Sequence, residues 1–204
     1  MQFPDVVRKR RMVRHFTSDR VDPSTVTRIL QLALHAPSAG FTQGQSFVVV
    51  TRPDLKKRIA QLAGEKEYVT SGFHSFISEA PVLIVPCTSE AAYHRRYQEP
   101  DKIREDGSEI AWPVPYWYMD AGCSVMIVLL AAVNEGLAAA FAGIPAPQFQ
   151  DFCALLHLPQ DVVPVGVIPI GHPAPDVPSP SLKRGRRPRR EVIHYEQWGG
   201  TAED

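Results

Sequence analysis

The stretch that most constrains this 204-residue chain is YWYMDAGCSVMIVLLAAVNEG (116–136). Wound as a helix it is apolar nearly all round, which places it at the centre of whatever fold forms. With the residues that follow, the run SVMIVLLAAVNEGLAAAFAG (124–143) is almost long enough to cross a bilayer. Asn134, Glu135 and Gly136 interrupt it in the middle. A carboxylate there is costly in hydrocarbon, and the triplet is a good helix stop. The stretch therefore reads as a core helix, a turn and a short strand over LAAAF.

The other elements arrange themselves around that helix. FPDVVRKRRMVRHF reads as a short helix running into a basic turn. In DPSTVTRILQLALHA, Asp22 is placed as N-cap and Pro23 as first helical residue, with Val26, Ile29, Leu30, Ala33 and Leu34 at amphipathic spacing. Pro37 stops this helix, and SFVVV is a short apolar strand. PDLKKRIAQLAG is a second amphipathic helix ended by Gly64, and 65–80 reads as further helix. APVLIVPC is a buried strand whose Pro86 is expected to end the ladder. Residues 88–115 show no obvious element, and loops of that length are lids, binding loops or disordered pieces. APQFQDFCALLHL is a helix, and DVVPVGVIPIG a last strand. Beyond it the prolines of HPAPDVPSPSLKRGRRPRREVIHYEQWGG make an extended arm that needs a surface to lie on. The expectation is a single domain over 1–204, with an arm from about 172 to 204.

Composition excludes several classes. Lys plus Arg and Asp plus Glu are both 22, so no global charge favours nucleic acid or membrane. Cys87, Cys123 and Cys153 form no metal-type spacing and no disulfide framework. Together with an N-terminus lacking the apolar core of a signal peptide, they point to the cytoplasm. The seven histidines have no H-x₃-H or H-E-x-x-H pattern, so no metal is expected. His172 and His194, flanking the arm, read as structural or solvent-facing. No G-x-S-x-G or G-x-G-x-x-G occurs.

What remains is two basic clusters and one pliant loop. Arg10, Arg11 and Arg14 lie at one end, and Arg184, Arg186 and Arg187 at the other. Their planar forks suit a phosphate gripped from both ends of the chain; two unrelated solvated faces are the alternative. The stretch LHAPSAGFTQGQSFVVV (34–50) puts Gly40 and Gly44, with Ser38, Thr42 and Gln43, between helix and strand. It is either simple punctuation or a backbone against which a flat ligand lies. Phosphate-gripping arginines without an acid, base or metal cluster suit a protein whose cofactor carries the chemistry.

In four segments the chain resembles the nitroreductase family of flavin-dependent oxidoreductases. RKRRMVRHF is similar to the family's opening R-R-S-x-R-x-F. APSAGFTQGQSFVVV is similar to A-P-S-A-G-N-x-Q-P-W-x-F-x-V-V. YMDAGCSVMIVLLAAVNEGLAAAFAGIP is similar to the central helix and its G-L-G-x-x-W-x-G turn. PVGVIPIGHPAP with RGRRPRREVIHYEQW is similar to the last strand, basic turn and tail. The resemblance implies an α+β fold, a nitroreductase-like mixed sheet flanked by helices, in an obligate homodimer whose C-terminal arm extends onto the partner subunit. It implies FMN bound at the dimer interface, and the departures from the family pattern given below leave room for a related deazaflavin.

Carried over by position, Arg10, Arg11 and Arg14 hold the phosphate or reach the ribityl and pyrimidine side, and Arg184 and Arg186 complete the phosphate grip. Pro37, Ser38, Ala39 and Gln43 line the ring and ribityl chain, and Gly143 and Ile144 approach the N5/O4 edge. Phe41, Tyr116 and Trp117 are candidates for the substrate wall. The implied activity is hydride transfer from NAD(P)H through flavin N5 to an electron-poor acceptor such as a nitroaromatic or quinone, with Arg14 stabilising the N1/O2 edge. No side-chain catalyst, nucleic acid or membrane is required. The chain departs from the pattern at Met12 (Ser in the family), Phe41 (Asn), Gly44 (Pro), Gln45 (Trp) and Ala138 (Gly). Of these, Phe41 and Met12 motivate the alternative of a flavin- or deazaflavin-binding carrier without significant turnover. A nucleic-acid role for the basic arm is a third, weaker reading.

Overall fold

A computed structural model of the chain describes residues 1–201; the last three residues of the expected arm lie outside the described residues. Helices α1 (Phe3–Lys9) and α2 (Pro23–Ala33) lead into strand β1 (Gln45–Val50). Helices α3 (Pro53–Leu62) and α4 (Glu65–Thr70), strand β2 (Val82–Thr88) and helix α5 (Glu90–Tyr97) follow. The long helix α6 (Tyr116–Asn134) then precedes β3 (Ala138–Ala139), α7 (Phe149–Leu155), β4 (Val163–Pro164) and β5 (Ile168–Gly171).

The sheet runs β1-β2-β5-β3, with β4 also paired to β2. Its named strands pair antiparallel, and an isolated parallel bridge sets Met12 beside Ala139. All seven residues of β2 are buried, which is why the run is apolar without alternation. Val82 and Ile84 face α2 and α6, whereas Leu83, Val85 and Cys87 face Ile59 of α3 and Phe152 of α7. Truncating Leu83 or Ile84 to Ala would cost about 2–5 kcal/mol.

Local signals account for most boundaries. Asp22 caps α2 by accepting from the Ser24 amide at 2.8 Å, and that bond holds its carboxyl below the usual range. Gly64 takes the left-handed conformation at φ 73° between α3 and α4. Four expectations need correction. Residues 88–115 contain a helix, α5, capped by the Ser89 hydroxyl accepting from the Ala92 amide. The helix expected over 65–80 is confined to Glu65–Thr70. The buried Glu65 carboxylate accepts from the Ile77 and Ser78 amides at 2.6 and 3.0 Å, fastening a turn instead. Pro86 does not end the β1–β2 ladder, which continues to Gln45↔Thr88. Its missing donor coincides with the gap between β5 and β4 on the other edge, where its carbonyl accepts from Val165. The last strand is broken into β4 and β5 at Gly166, φ 157°.

Helix α6 is central, but it is not buried all round. Val125, Val128, Leu129 and Ala132 face the sheet. Tyr118, Met119, Gly122, Cys123 and Met126 are exposed and, at this spacing, form one continuous apolar stripe. By length and composition this is the one helix among the described residues that passes for a membrane span, and half of its window is buried inside the protein.

Candidate functional site

The candidate residues collect at two places. The first is the loop between α2 and β1. Its Ala39–Phe41 turn has Gly40 at φ 61°, and Phe41 and Gln43, neither a glycine, both at φ 54°. Left-handed backbone at non-glycine residues costs about 1–3 kcal/mol and persists only where the surroundings impose it. They do so here. The Asp120 carboxylate accepts from the Ala39 amide at 2.8 Å and from the Tyr93 hydroxyl at 2.7 Å. Ser38 Oγ accepts from the Gln43 amide, Thr42 donates to the Ala39 carbonyl, and Arg96 donates to the Gly40 carbonyl.

The two glycines meet protein. A Cβ on Gly44 would lie 2.6 Å from the Tyr93 ring, and one on Gly40 2.7 Å from Tyr97. Tyr93 and Tyr97 are one turn apart on α5, so the four-residue glycine spacing matches a four-residue tyrosine spacing. Tyr93 is wholly buried; burial first, and then its bond to Asp120, pushes its hydroxyl far above the ordinary range. Around it Trp112, Tyr97, Tyr116 and Trp117 form a continuous aromatic cluster. Trp117 is buried, whereas Tyr116 is half-buried and Phe41 is 74% exposed.

The second place surrounds residues 10–16. Arg10 closes α1, and the Val13 amide donates to the Ala139 carbonyl, laying this segment beside β3. The Arg14 amide donates to Asp176 at 2.9 Å, while the Arg14 guanidinium lies over Phe73 at 4.9 Å and Phe76 at 5.9 Å. Tyr68 stands edge-on to both phenylalanines. Tyr68 also lines a recess of about 380 Å³ with Gly143, Ile144, Gly64 and Glu67. A Cβ added at Gly143 would meet nothing, so its backbone is open to approach. Arg11 lines a separate recess of about 490 Å³ with Arg8, Lys9 and Val133.

The two places lie toward opposite ends of α6. Asp120 holds the loop and Val133 sits beside Arg11, a separation of roughly 20 Å by helical rise. Arg184 and Arg186 are exposed on the arm, flanking Gly185 at φ 73°. Among the described residues no ion pair occupies Arg10, Arg11, Arg14, Arg184 or Arg186, whereas Arg187 pairs with Glu191. The His172 backbone carbonyl accepts from the Thr17 amide, and His194 packs on Trp198. No group of three metal-ligating side chains occurs among the described residues.

A family model described as the nitroreductase family matches residues 7–172. The chain belongs to that family. It is thereby a flavin-dependent NAD(P)H oxidoreductase of nitroreductase type. It is 26% identical over 210 residues to an iodotyrosine deiodinase of Nematostella vectensis, covering 94% of this chain and 74% of that protein. It is 29% identical over 193 residues to an FMN reductase [NAD(P)H] of Bacillus subtilis, covering 92% and 71%. The structure of B. megaterium NfrA1 superposes with a TM-score of 0.76 at 22% identity, covering 96% of this chain and 74% of that one.

Several residues of the site escape sequence reasoning. Asp120 sits inside the apolar helix with nothing in its neighbourhood to mark it. Phe73 and Tyr68 lie in a segment read as plain helix. Only Tyr93 and Tyr97 carried a usable signal, their spacing of four matching that of Gly40 and Gly44.

Proposed function

We propose that this nitroreductase binds FMN at the interface of a homodimer and uses NAD(P)H to reduce an electron-poor acceptor such as a nitroaromatic or quinone. The observation that carries the reading is the donor set: five guanidinium groups at the matched positions, none engaged by a carboxylate among the described residues. Such a set fits a phosphate and an electron-rich ring edge. When bound, FMN supplies the two-electron hydride chemistry between nicotinamide and acceptor.

The chain's own residues bind and orient. Arg10, Arg11, Arg184 and Arg186 take the phosphate, and Arg14 donates to the N1/O2 edge. Gly143 and Ile144 present backbone to the N5/O4 edge. Pro37, Ser38, Ala39 and Gln43 line the ring and ribityl chain, held in their left-handed turn by Asp120. Phe41, Tyr116 and Trp117 lie on the acceptor side. Because the loop and the arginine segment sit toward opposite ends of α6, a second copy completes each site. The exposed stripe of Tyr118, Met119 and Met126 is the face on which that copy packs, with the arm of each single-domain protomer crossing to its partner. Nothing supports the deazaflavin alternative. The three free cysteines suit a reducing, cytoplasmic setting.

The test is the visible spectrum of the purified full chain after FMN addition and desalting. Retained flavin bands that bleach anaerobically with NADPH or NADH, and recover with a nitroaromatic, support the reading. Tight flavin without turnover would indicate the carrier instead, and a protein that refuses FMN would overturn both. The deiodinase relative motivates a second reading of the acceptor as a halophenol. Iodide release from an iodophenol under the same conditions separates the two.

A further inference from the structure

Arg14 is held in an unusual way for a side chain meant to meet an anion. Its backbone is fixed from one side, where the amide donates to Asp176 and the neighbouring His15 ring bonds the Pro175 carbonyl at 2.6 Å. From the other side the 71–75 turn lays two consecutive rings on two consecutive residues. Phe73 lies under the Arg14 guanidinium at 4.9 Å, and His74 stacks on His15 at 3.5 Å with the planes 7° apart.

A planar guanidinium has its donors in its plane and its charge open to both faces. A carboxylate partner would hold Arg14 by consuming those donors, whereas a ring beneath it holds the group by its face and leaves the donors free. Phe76 is buried and 5.9 Å away, a fixed floor behind the nearer ring. Tyr68, edge-on to Phe73, continues the aromatic surface to the recess of Gly143 and Ile144.

We infer that Phe73 is the positioning residue of Arg14: its ring fixes the guanidinium with the donors free and aimed at the N1/O2 edge of the cofactor, so that Phe73 tunes the cofactor's reduction potential without touching it. This rests on the proposed placement of FMN and goes beyond it, because it gives a role to a residue in a turn that no matched motif includes. Reduction places negative charge on that edge, so a loosened guanidinium weakens binding of the reduced form more than of the oxidised form. Replacing Phe73 with Leu keeps an apolar side chain but removes the π face.

The experiment compares FMN affinity, by quenching of flavin fluorescence, and the midpoint potential of bound FMN in four full-length proteins. These are wild type, Phe73→Leu, Phe73→Tyr and Arg14→Ala, and the Arg14→Ala/Phe73→Leu double variant is measured as a fifth. Phe73→Leu should retain FMN and lose about tenfold in relative affinity for the reduced form, the size of a partly desolvated cation–π contact. That loss is a fall of about 30 mV. Phe73→Tyr, which keeps the ring, should restore the wild-type potential, and in the Arg14→Ala background the Leu substitution should change nothing further. A role in stability alone would lower the melting temperature and leave the potential in place. If Arg14→Ala lowers the potential and Phe73→Leu does not, this inference falls while the FMN placement stands. If wild type takes up no FMN, the placement falls and takes the inference with it.

Discussion

Gly44→Ala should destabilise the protein through a single contact. The added Cβ would lie 2.6 Å from Tyr93 Cε2, about 0.8 Å inside the 3.4 Å at which ordinary contact begins. No left-handed strain enters, since Gly44 has no positive φ. The neighbour cannot yield cheaply. Tyr93 is fully buried, packed against Trp112 and Trp117, and pinned through its hydroxyl to Asp120. Overpacking of this kind costs about 1–3 kcal/mol, and breaking the Tyr93–Asp120 bond to make room would add about 1 kcal/mol. The sum, about 2–4 kcal/mol, is readable in urea unfolding as a lower midpoint at unchanged slope. A double-mutant cycle with Tyr93→Leu isolates the contact. The shorter side chain creates a cavity by itself but admits the methyl, so the pair should be more stable than the two losses added together, by about 1 kcal/mol or more. Strict additivity, or a Gly44→Ala protein as stable as wild type, would refute the claim that Gly44 is glycine because of Tyr93.

The same reasoning makes Gly143→Ala silent in thermal melts, within about 0.5 kcal/mol, because its Cβ would enter open space. His94 is raised first by its hydrogen bond to Glu109, and Glu109 is lowered because its bonds to Trp112 and His94 outweigh its burial. The histidine's stabilisation is therefore present below its unfolded pKa and lost as pH rises through the higher folded one. The glutamate's is present above its unfolded pKa and lost as pH falls through the lower folded one. The stability difference between wild type and His94→Gln should thus be greatest between about pH 4.3 and 6.5 and shrink on either side; a flat difference would discard the pair. Arg10→Ala and Arg186→Ala should each lose FMN on desalting while keeping the wild-type circular dichroism. Undiminished flavin in both would remove these residues from the site. Met126→Glu should shift the protein to the monomer in sedimentation and lower FMN retention with it, since the charge lands in the exposed stripe of α6.

The parts of the fold legible in the sequence are those that local chemistry decides. Asp22 before Pro23, Gly64 after an amphipathic run and the unbroken apolar run of β2 are signals complete within a few residues. What failed were signals whose partner is distant. The short helix α4 ends where it does because the carboxylate of Glu65 is consumed by amides twelve and thirteen residues away. Helix α5 is strongly polar, so no apolar periodicity announces it. The loop glycines were legible as a need for closeness but not as to what comes close. Their spacing admits a ligand or a ring equally well, and Tyr93 and Tyr97 supply the rings. The arginines, by contrast, stand out by charge spacing as candidates for the site, and among the described residues Arg10, Arg11, Arg14, Arg184 and Arg186 form no ion pair, whereas Arg187 pairs with Glu191.

Helix α6 shows why its residues had to be apolar all round without the helix being buried all round. One half faces β2 and β5, where Val128 and Leu129 fill the space above Ile84 and Ile168. The stripe of the other half is covered by nothing among the described residues, and a continuous apolar row such as Tyr118, Met119 and Met126 is seldom left in water. The first turns of the same helix carry Asp120, which holds the loop, and its last turn lies beside Arg11. In the proposed dimer, a helix with the loop at one end, the arginine segment at the other and an uncovered apolar face between them would be completed by a second helix running the other way across that face. Antiparallel packing about a two-fold axis sets the loop end of one helix beside the arginine end of its partner. On that proposal dimerisation and cofactor binding are one event, so a substitution in the stripe and a substitution in the arginine cluster should converge on the same loss of flavin.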